Sequence, residues 1–157
     1  MEIPQLSQKE IDECLLRAKN SERRRYLKIL HQPGDELNRT INFMMSDTYM
    51  QPHNHPPEEQ KEKIEKFQVL QGKIGILFFD TQGTVTKSVI LEKGHKEYFE
   101  ILPGMWHAPI ILSESALCYE EVRGVYNPAT YKELATWAPP ENTPESAQYL
   151  NFLKSFF

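Results

Sequence analysis

The chain has 157 residues, enough to close one hydrophobic core but few for two independent domains. Its formal net charge is −4 and it has no long Lys/Arg block, which argues against a grip on DNA, RNA or an anionic membrane and leaves a small molecule as the partner class. The two cysteines, Cys14 and Cys118, are too few and too scattered for a disulfide framework or a sulfur-ligated zinc site, and the polar, acidic start and lack of a long apolar run predict a cytoplasmic location.

Ser7-Gln-Lys-Glu10 is a capping box, and Ile11, Leu15 and Ala18 follow at helical spacing. A short amphipathic helix is therefore predicted within an N-terminal helical extension over 1–37. From 38 to 123 the texture changes to short runs of β-branched and aromatic residues, broken by turn signals such as Asp80-Thr-Gln-Gly83 and Glu92-Lys-Gly94. This rhythm predicts strands near 39–46, 48–55, 64–71, 73–80, 84–91, 97–102, 106–113 and 116–123, an all-β set suited to a jelly-roll-like barrel. The remainder, 124–157, reads as a proline-containing loop and a final helix. That helix starts at Thr143-Pro144 and carries Ala147, Leu150, Leu153 and Phe157 on one stripe, to cover a barrel edge or a subunit contact. The whole is one domain over 1–157.

Three features of the central region point to one site. In Tyr49-Met-Gln-Pro-His53-Asn-His55 the two histidines are two apart, so on an extended chain both rings project from one face. Glu65 shares a strand face with Phe67 and Val69, which sets a carboxylate among core residues, where it needs a partner: a metal, or an arginine such as Arg39 or Arg123. Pro103-Gly-Met-Trp-His107 delivers a third histidine from a turn into a strand. Three imidazoles and one carboxylate suit one divalent transition metal, Fe, Mn, Ni or Zn, with positions left open for water or substrate. Nine residues separate His55 from Glu65, and Glu58, Glu59 and Glu62 in that stretch compete as the carboxylate donor. Tyr49 reads as an aromatic wall beside the histidines, and Asn42, Tyr119, Glu121 and Arg123 would line the cavity mouth if their strand faces turn inward.

His53-Asn-His55 with Glu65 and Gly72 resembles the first cupin motif, and Pro103-Gly-Met-Trp-His107 resembles the second. Tyr49 to Pro56, Phe67 to Gly72, Phe78 to Gly83, Leu102 to His107 and Trp137-Ala-Pro-Pro-Glu141 are similar to the WbuC-type cupin-fold metalloproteins, small bacterial proteins associated with O-antigen sugar genes. The resemblance runs from about Asn38 to the C-terminus. It departs from the general motif in the long His55–Glu65 spacing and in Ile111, which stands where an asparagine often follows the last histidine. It implies an all-β cupin barrel with short terminal helices, a three-histidine, one-glutamate metal site and a carbohydrate ligand. It also implies a homodimer formed through an edge strand or the C-terminal helix. Three functions fit: isomerase- or epimerase-like chemistry with Tyr119, Glu121 or metal-bound water as base, Fe(II)-dependent dioxygenation, or metal-dependent sugar binding without catalysis.

Overall fold

The computed structural model describes residues 1–58 and 63–157. Helix α1, Gln8–Asn20, starts as its capping box dictates: the Ser7 hydroxyl accepts from the Glu10 N–H, and the Glu10 carboxylate accepts from the Ser7 N–H. The strands are β1 Arg25–Ile29, β2 Leu37–Met45, β3 His53–Asn54, β4 Glu65–Gln71, β5 Lys73–Phe79, β6 Val85–Glu92, β7 Tyr98–Ile101, β8 Trp106–Ile111, β9 Ser115–Arg123 and β10 Glu133–Leu134, followed by helix α2, Pro144–Lys154. They form two antiparallel sheets, ordered β1-β2-β9-β4-β7 and β10-β3-β8-β5-β6. The all-β, jelly-roll-like fold with a helix at each end is as expected. Its strands pair as two five-stranded sheets and not as one closed, hydrogen-bonded ring.

Three strand assignments differ from the sequence reading. The 1–37 stretch holds β1 as well as the helix: Tyr26 and Lys28 turn toward α1, to Arg17 at 3.1 Å and Glu10 at 3.4 Å, while Arg25, Leu27 and Ile29 face a cavity between the sheets. The strand expected over 48–55 is regular only at His53–Asn54, because Pro52 and Pro56 bring no N–H donors and interrupt a ladder on either side. β10 pairs with β3 from within the C-terminal loop, with Leu134 opposite His53.

Strand alternation sorts the apolar residues into three layers. Between the sheets lie Met44, Phe67, Val69, Ile76, Phe78 and Cys118. On the outer face of the first sheet, Ile41, Phe43, Leu117 and Tyr119 lie under Cys14 and Ala18 of α1. On the outer face of the second, Leu77, Phe79, Ala108 and Ile110 lie under Leu150 and Leu153 of α2. The C-terminal stripe thus packs within its own chain, although Ala147 is exposed and Ser146 takes the buried position. Phe157 rests on the bare backbone of Gly75, where an added Cβ would stand 2.3 Å from its ring.

Gly72 makes the β4–β5 turn at φ +81°, and a Cβ there would stand 2.4 Å from the Ser115 carbonyl oxygen; Gly94, at φ +88°, faces open space. Alanine at either position costs roughly 1–2 kcal/mol for the left-handed backbone, and at Gly72 it must also displace β9. Thermal melts should therefore show a larger loss for Gly72→Ala than for Gly94→Ala. Equal losses would show that the close approach of β9 carries no energy.

Candidate metal centre

Sheet pairing assembles the polar cluster. His53 and His107 are direct cross-strand partners on β3 and β8, and their rings lie 4.5 Å apart. His55 follows two residues on, and Glu65 opens β4 in the facing sheet, held by pairing with Ile101 and Val122. One donor atom from each of the four residues lies within 4.8 Å of the others, and all four side chains are buried. This cluster could hold a metal ion.

Backbone carbonyls set the direction of the rings. The Nδ1 atoms of His53, His55 and His107 lie 3.1, 2.8 and 2.8 Å from the carbonyl oxygens of Gln51, Tyr131 and Met105. A carbonyl can only accept, so each Nδ1 carries the proton and each neutral ring has its lone pair at Nε2. The Nε2 atoms of His55 and His107 stand 3.1 and 3.0 Å from one oxygen, Glu65 Oε2, yet none of these three buried atoms has a hydrogen-bond partner. Lone pairs crowded in this way repel unless a proton or a cation sits among them. Donors adjacent in the shell of one ion, each about 2.1 Å from it, lie about 3 Å apart, so the arrangement fits a divalent transition metal.

The titration of the cluster tells the same story. Burial opposes ionisation of Glu65, but His55 and His107 more than offset it and hold the carboxyl well below its usual range. Burial likewise opposes protonation of His55, and the Glu65 carboxylate overcomes it, so the His55 pKa rises. His53 falls well below the ordinary histidine value, first through burial and then through His107.

Among the described residues, Glu65 is accordingly the carboxylate of the cluster. Glu58 instead accepts from Lys63, whose ammonium also reaches the Thr130 carbonyl at 3.2 Å, while Glu59 and Glu62 lie outside the described residues. Neither Arg39 nor Arg123 is the partner of Glu65, because each sits on an outward-facing position of its strand.

A cavity of about 360 Å³ opens beside His53, His55 and Glu65. Of the expected pocket residues, Asn42 lines it and the other four do not. Tyr49 lies on the outer face of the second sheet with its hydroxyl on the Pro139 carbonyl, 2.7 Å away. Tyr119 faces α1 and donates to Glu121 at 2.9 Å, and Glu121 and Arg123 border a separate outer depression in which Lys66 pairs with Glu121 at 3.6 Å. The residue that reaches the cavity from β9 is Glu120, missed in the sequence. Burial pushes its carboxyl up to about 8, aided by Glu65, and it accepts a hydrogen bond from Asn42 at 3.4 Å. Tyr126, Tyr131 and Lys132 close the mouth, with Tyr131 edge-on to His55 at 4.8 Å and 5.0 Å from Tyr126. Two aromatics in an otherwise polar loop were the only sequence signal for them.

Comparison with solved structures gives cupin-fold neighbours. The capsular polysaccharide assembling protein CapF from Staphylococcus aureus aligns at 18% identity and a TM-score of 0.58, over 69% of this chain and 31% of its own. An oxalate oxidase in complex with the substrate analogue glycolate aligns at 17% identity and 0.57, over 88% and 75%. Oxalate decarboxylase from Lactobacillus farciminis aligns at 12% and 0.53, over 69% and 30%. The chain spans about a third of the length of the CapF chains. At these identities the likeness establishes the fold. No curated protein matches the chain. Among the described residues, no helix is long and apolar enough to cross a membrane. The model of the family described as Domain of unknown function (DUF6016) matches residues 6–91, more than half of the sequence, and the chain belongs to that family.

Proposed function

We propose that this chain is a metalloprotein that holds one divalent transition metal, Fe, Mn, Ni or Zn, through His53, His55, Glu65 and His107. In this reading it acts on or binds a sugar-like small molecule in cell-surface polysaccharide metabolism, as a WbuC-type cupin. The observation that carries the metal is the convergence of unpartnered buried acceptors on one point, with three imidazoles held in the same tautomer by three carbonyls. The sugar-like ligand draws support from the WbuC-type segments, from a cavity near the small end of the usual range of roughly 300–1,000 Å³ and from Tyr126 and Tyr131 at its mouth, faces on which a sugar ring packs. The cupin fold shared with CapF, a capsular polysaccharide assembling protein, is in keeping with it.

A bound metal would polarise a carbonyl or hydroxyl oxygen of the ligand. Glu65, enclosed by His55 and His107, is not free to move a proton as well. Tyr119 and Glu121, the sequence candidates for that role, bond to each other on the opposite face of β9. Glu120 takes their place: its carboxyl enters the same cavity and can give up or receive a proton beside the bound ligand, while Asn42 fixes its orientation. Isomerase- or epimerase-like proton transfer on a carbohydrate is the chemistry this arrangement serves best.

Elemental analysis of protein purified without a nickel column or chelator should find about one equivalent of Fe, Mn, Ni or Zn, and little in a His53→Ala, His107→Ala double variant. Chelation should lower the melting temperature of the parent, since an ion held at a hundred times its Kd contributes about 2.7 kcal/mol to the native state. A parent that stays metal-free after incubation with each ion would overturn the metal reading.

With metal in place, a panel of aldoses, ketoses and nucleotide sugars should contain one that is converted, with the rate lost in Glu120→Gln and the metal retained. Oxygen uptake with sugars, thiols or catechols should be absent. Reproducible uptake would favour the Fe(II)-dependent dioxygenase, and a shift in melting temperature without conversion would favour the non-catalytic sugar-binding module.

A further inference from the structure

Three cations, Arg23, Arg25 and Lys132, line the cavity, and two of them share one carboxylate. Arg23 and Arg25 both bind Glu141: Arg23 at 2.9 and 3.3 Å, and Arg25 at 2.6 Å from a nearly buried guanidinium. Two cations therefore share one anion. Lys132 lines the same cavity, and no described carboxylate pairs with its ammonium. The other carboxyls of the cavity are engaged elsewhere: Glu65 stands against His55 and His107, and Glu120 accepts from Asn42.

A second observation comes from another lining residue of the same cavity. Asn42 is 6% exposed and its Oδ1 has no hydrogen-bond partner, although the side chain lines the cavity and its Nδ2 is engaged by Glu120. A buried amide oxygen without a partner, on a side chain that lines a cavity, asks for a donor, and a ligand hydroxyl is such a donor. The walls therefore call for two groups on one molecule: an anion at Lys132 and a hydroxyl at Asn42.

We propose that the ligand of this cavity is an acidic sugar or similar hydroxylated acid, whose carboxylate or phosphate is held by Lys132 and whose hydroxyl donates to Asn42. This deepens the reading of the pocket as a metal-dependent sugar site and rests on it. Lys132 selects the charge, Asn42 selects the hydroxylated carbon chain, and the metal cluster lies at the inner end.

The test is isothermal titration calorimetry of the metal-loaded protein with glucuronate, galacturonate and glucose 1-phosphate, each against its neutral parent sugar. At least one acid should bind about tenfold or more tightly than its parent, the size of one charge-assisted hydrogen bond. Lys132→Gln should abolish that preference while leaving metal content and melting temperature unchanged, and Asn42→Ala should weaken acid and parent alike. Preference among the uronates points to a carboxylate, and preference for the 1-phosphate to a phosphoryl group. Neutral sugars that bind as well as the acids, an acid preference that survives Lys132→Gln, or no acid binding below 10 mM would each overturn the proposal. If elemental analysis of the same samples finds one equivalent of metal, that failure falls on the acidic ligand alone; if it finds none, the underlying metal reading fails.

Discussion

A carboxylate buried between two β-sheets is the constraint around which this fold is arranged. Glu65 occupies an inward position of β4 next to Phe67 and Val69, and in such surroundings an unpaired charge costs several kcal/mol. The compensation comes from across the sandwich: His53 and His107 from the facing sheet, and His55 from the chain just beyond β3. The cluster thereby ties two sheets that, among the described residues, share no strand pairing. It also imposes order on three loops. The carbonyls of Gln51, Met105 and Tyr131 must each point at an imidazole Nδ1, so the segment before β3, the turn into β8 and the loop beyond β9 are all anchored on the same four side chains.

The apolar layers outside the sheets allow the interior to be polar. Leu150 and Leu153 cover the second sheet, and Cys14 and Ala18 cover the first, so much of the burial that stabilises the chain lies away from the cavity. The space between the sheets is apolar at one end, where Ile74, Ile76 and Leu91 meet, and polar at the other, where the histidines open onto Asn42, Glu120 and Lys132. Arg25 links these two roles. It spans from β1 to Glu141 in the C-terminal loop and donates to the Tyr49 carbonyl, fastening the edge of the cavity to the outer layers.

The four cluster residues were legible because three local patterns, each ambiguous alone, point to one site together: a two-residue histidine spacing, a carboxylate in phase with apolar neighbours, and a histidine delivered by a proline-glycine turn. The remaining wall was not. β9 reads Ser-Ala-Leu-Cys-Tyr-Glu-Glu-Val-Arg, and both of its faces are covered, one by the interior and one by α1, so alternation could not tell whether Glu120 or Glu121 turns inward. Tyr49 lies an even number of residues from His53, but Pro52 breaks the strand between them, so the spacing says nothing about a shared face. Tyr131 and Lys132 reach the site from a loop whose path is fixed by long-range contacts, the Tyr131 carbonyl on His55 above all. β1 was hidden for a related reason: its five residues are amphipathic only with respect to α1 and the cavity, neither of which is local in sequence.

The long spacing between His55 and Glu65 illustrates how the site tolerates a departure from its motif. Glu65 is placed by β4, whose register against β7 and β9 is fixed by Ile101 and Val122, and not by the chain that leads into it. Extending a connection from about four residues to about nine raises its closure entropy by only about 0.7 kcal/mol, since that cost grows as the logarithm of length. The extra length also acquires a contact. Lys63, buried just before β4, bonds to Glu58 and to the Thr130 carbonyl, and Thr130 immediately precedes Tyr131 and Lys132. Lys63 therefore fastens both Glu58 and the start of β4 to the loop that builds the outer wall of the cavity, and the histidine–glutamate cluster and the cavity mouth are positioned by one connected set of bonds.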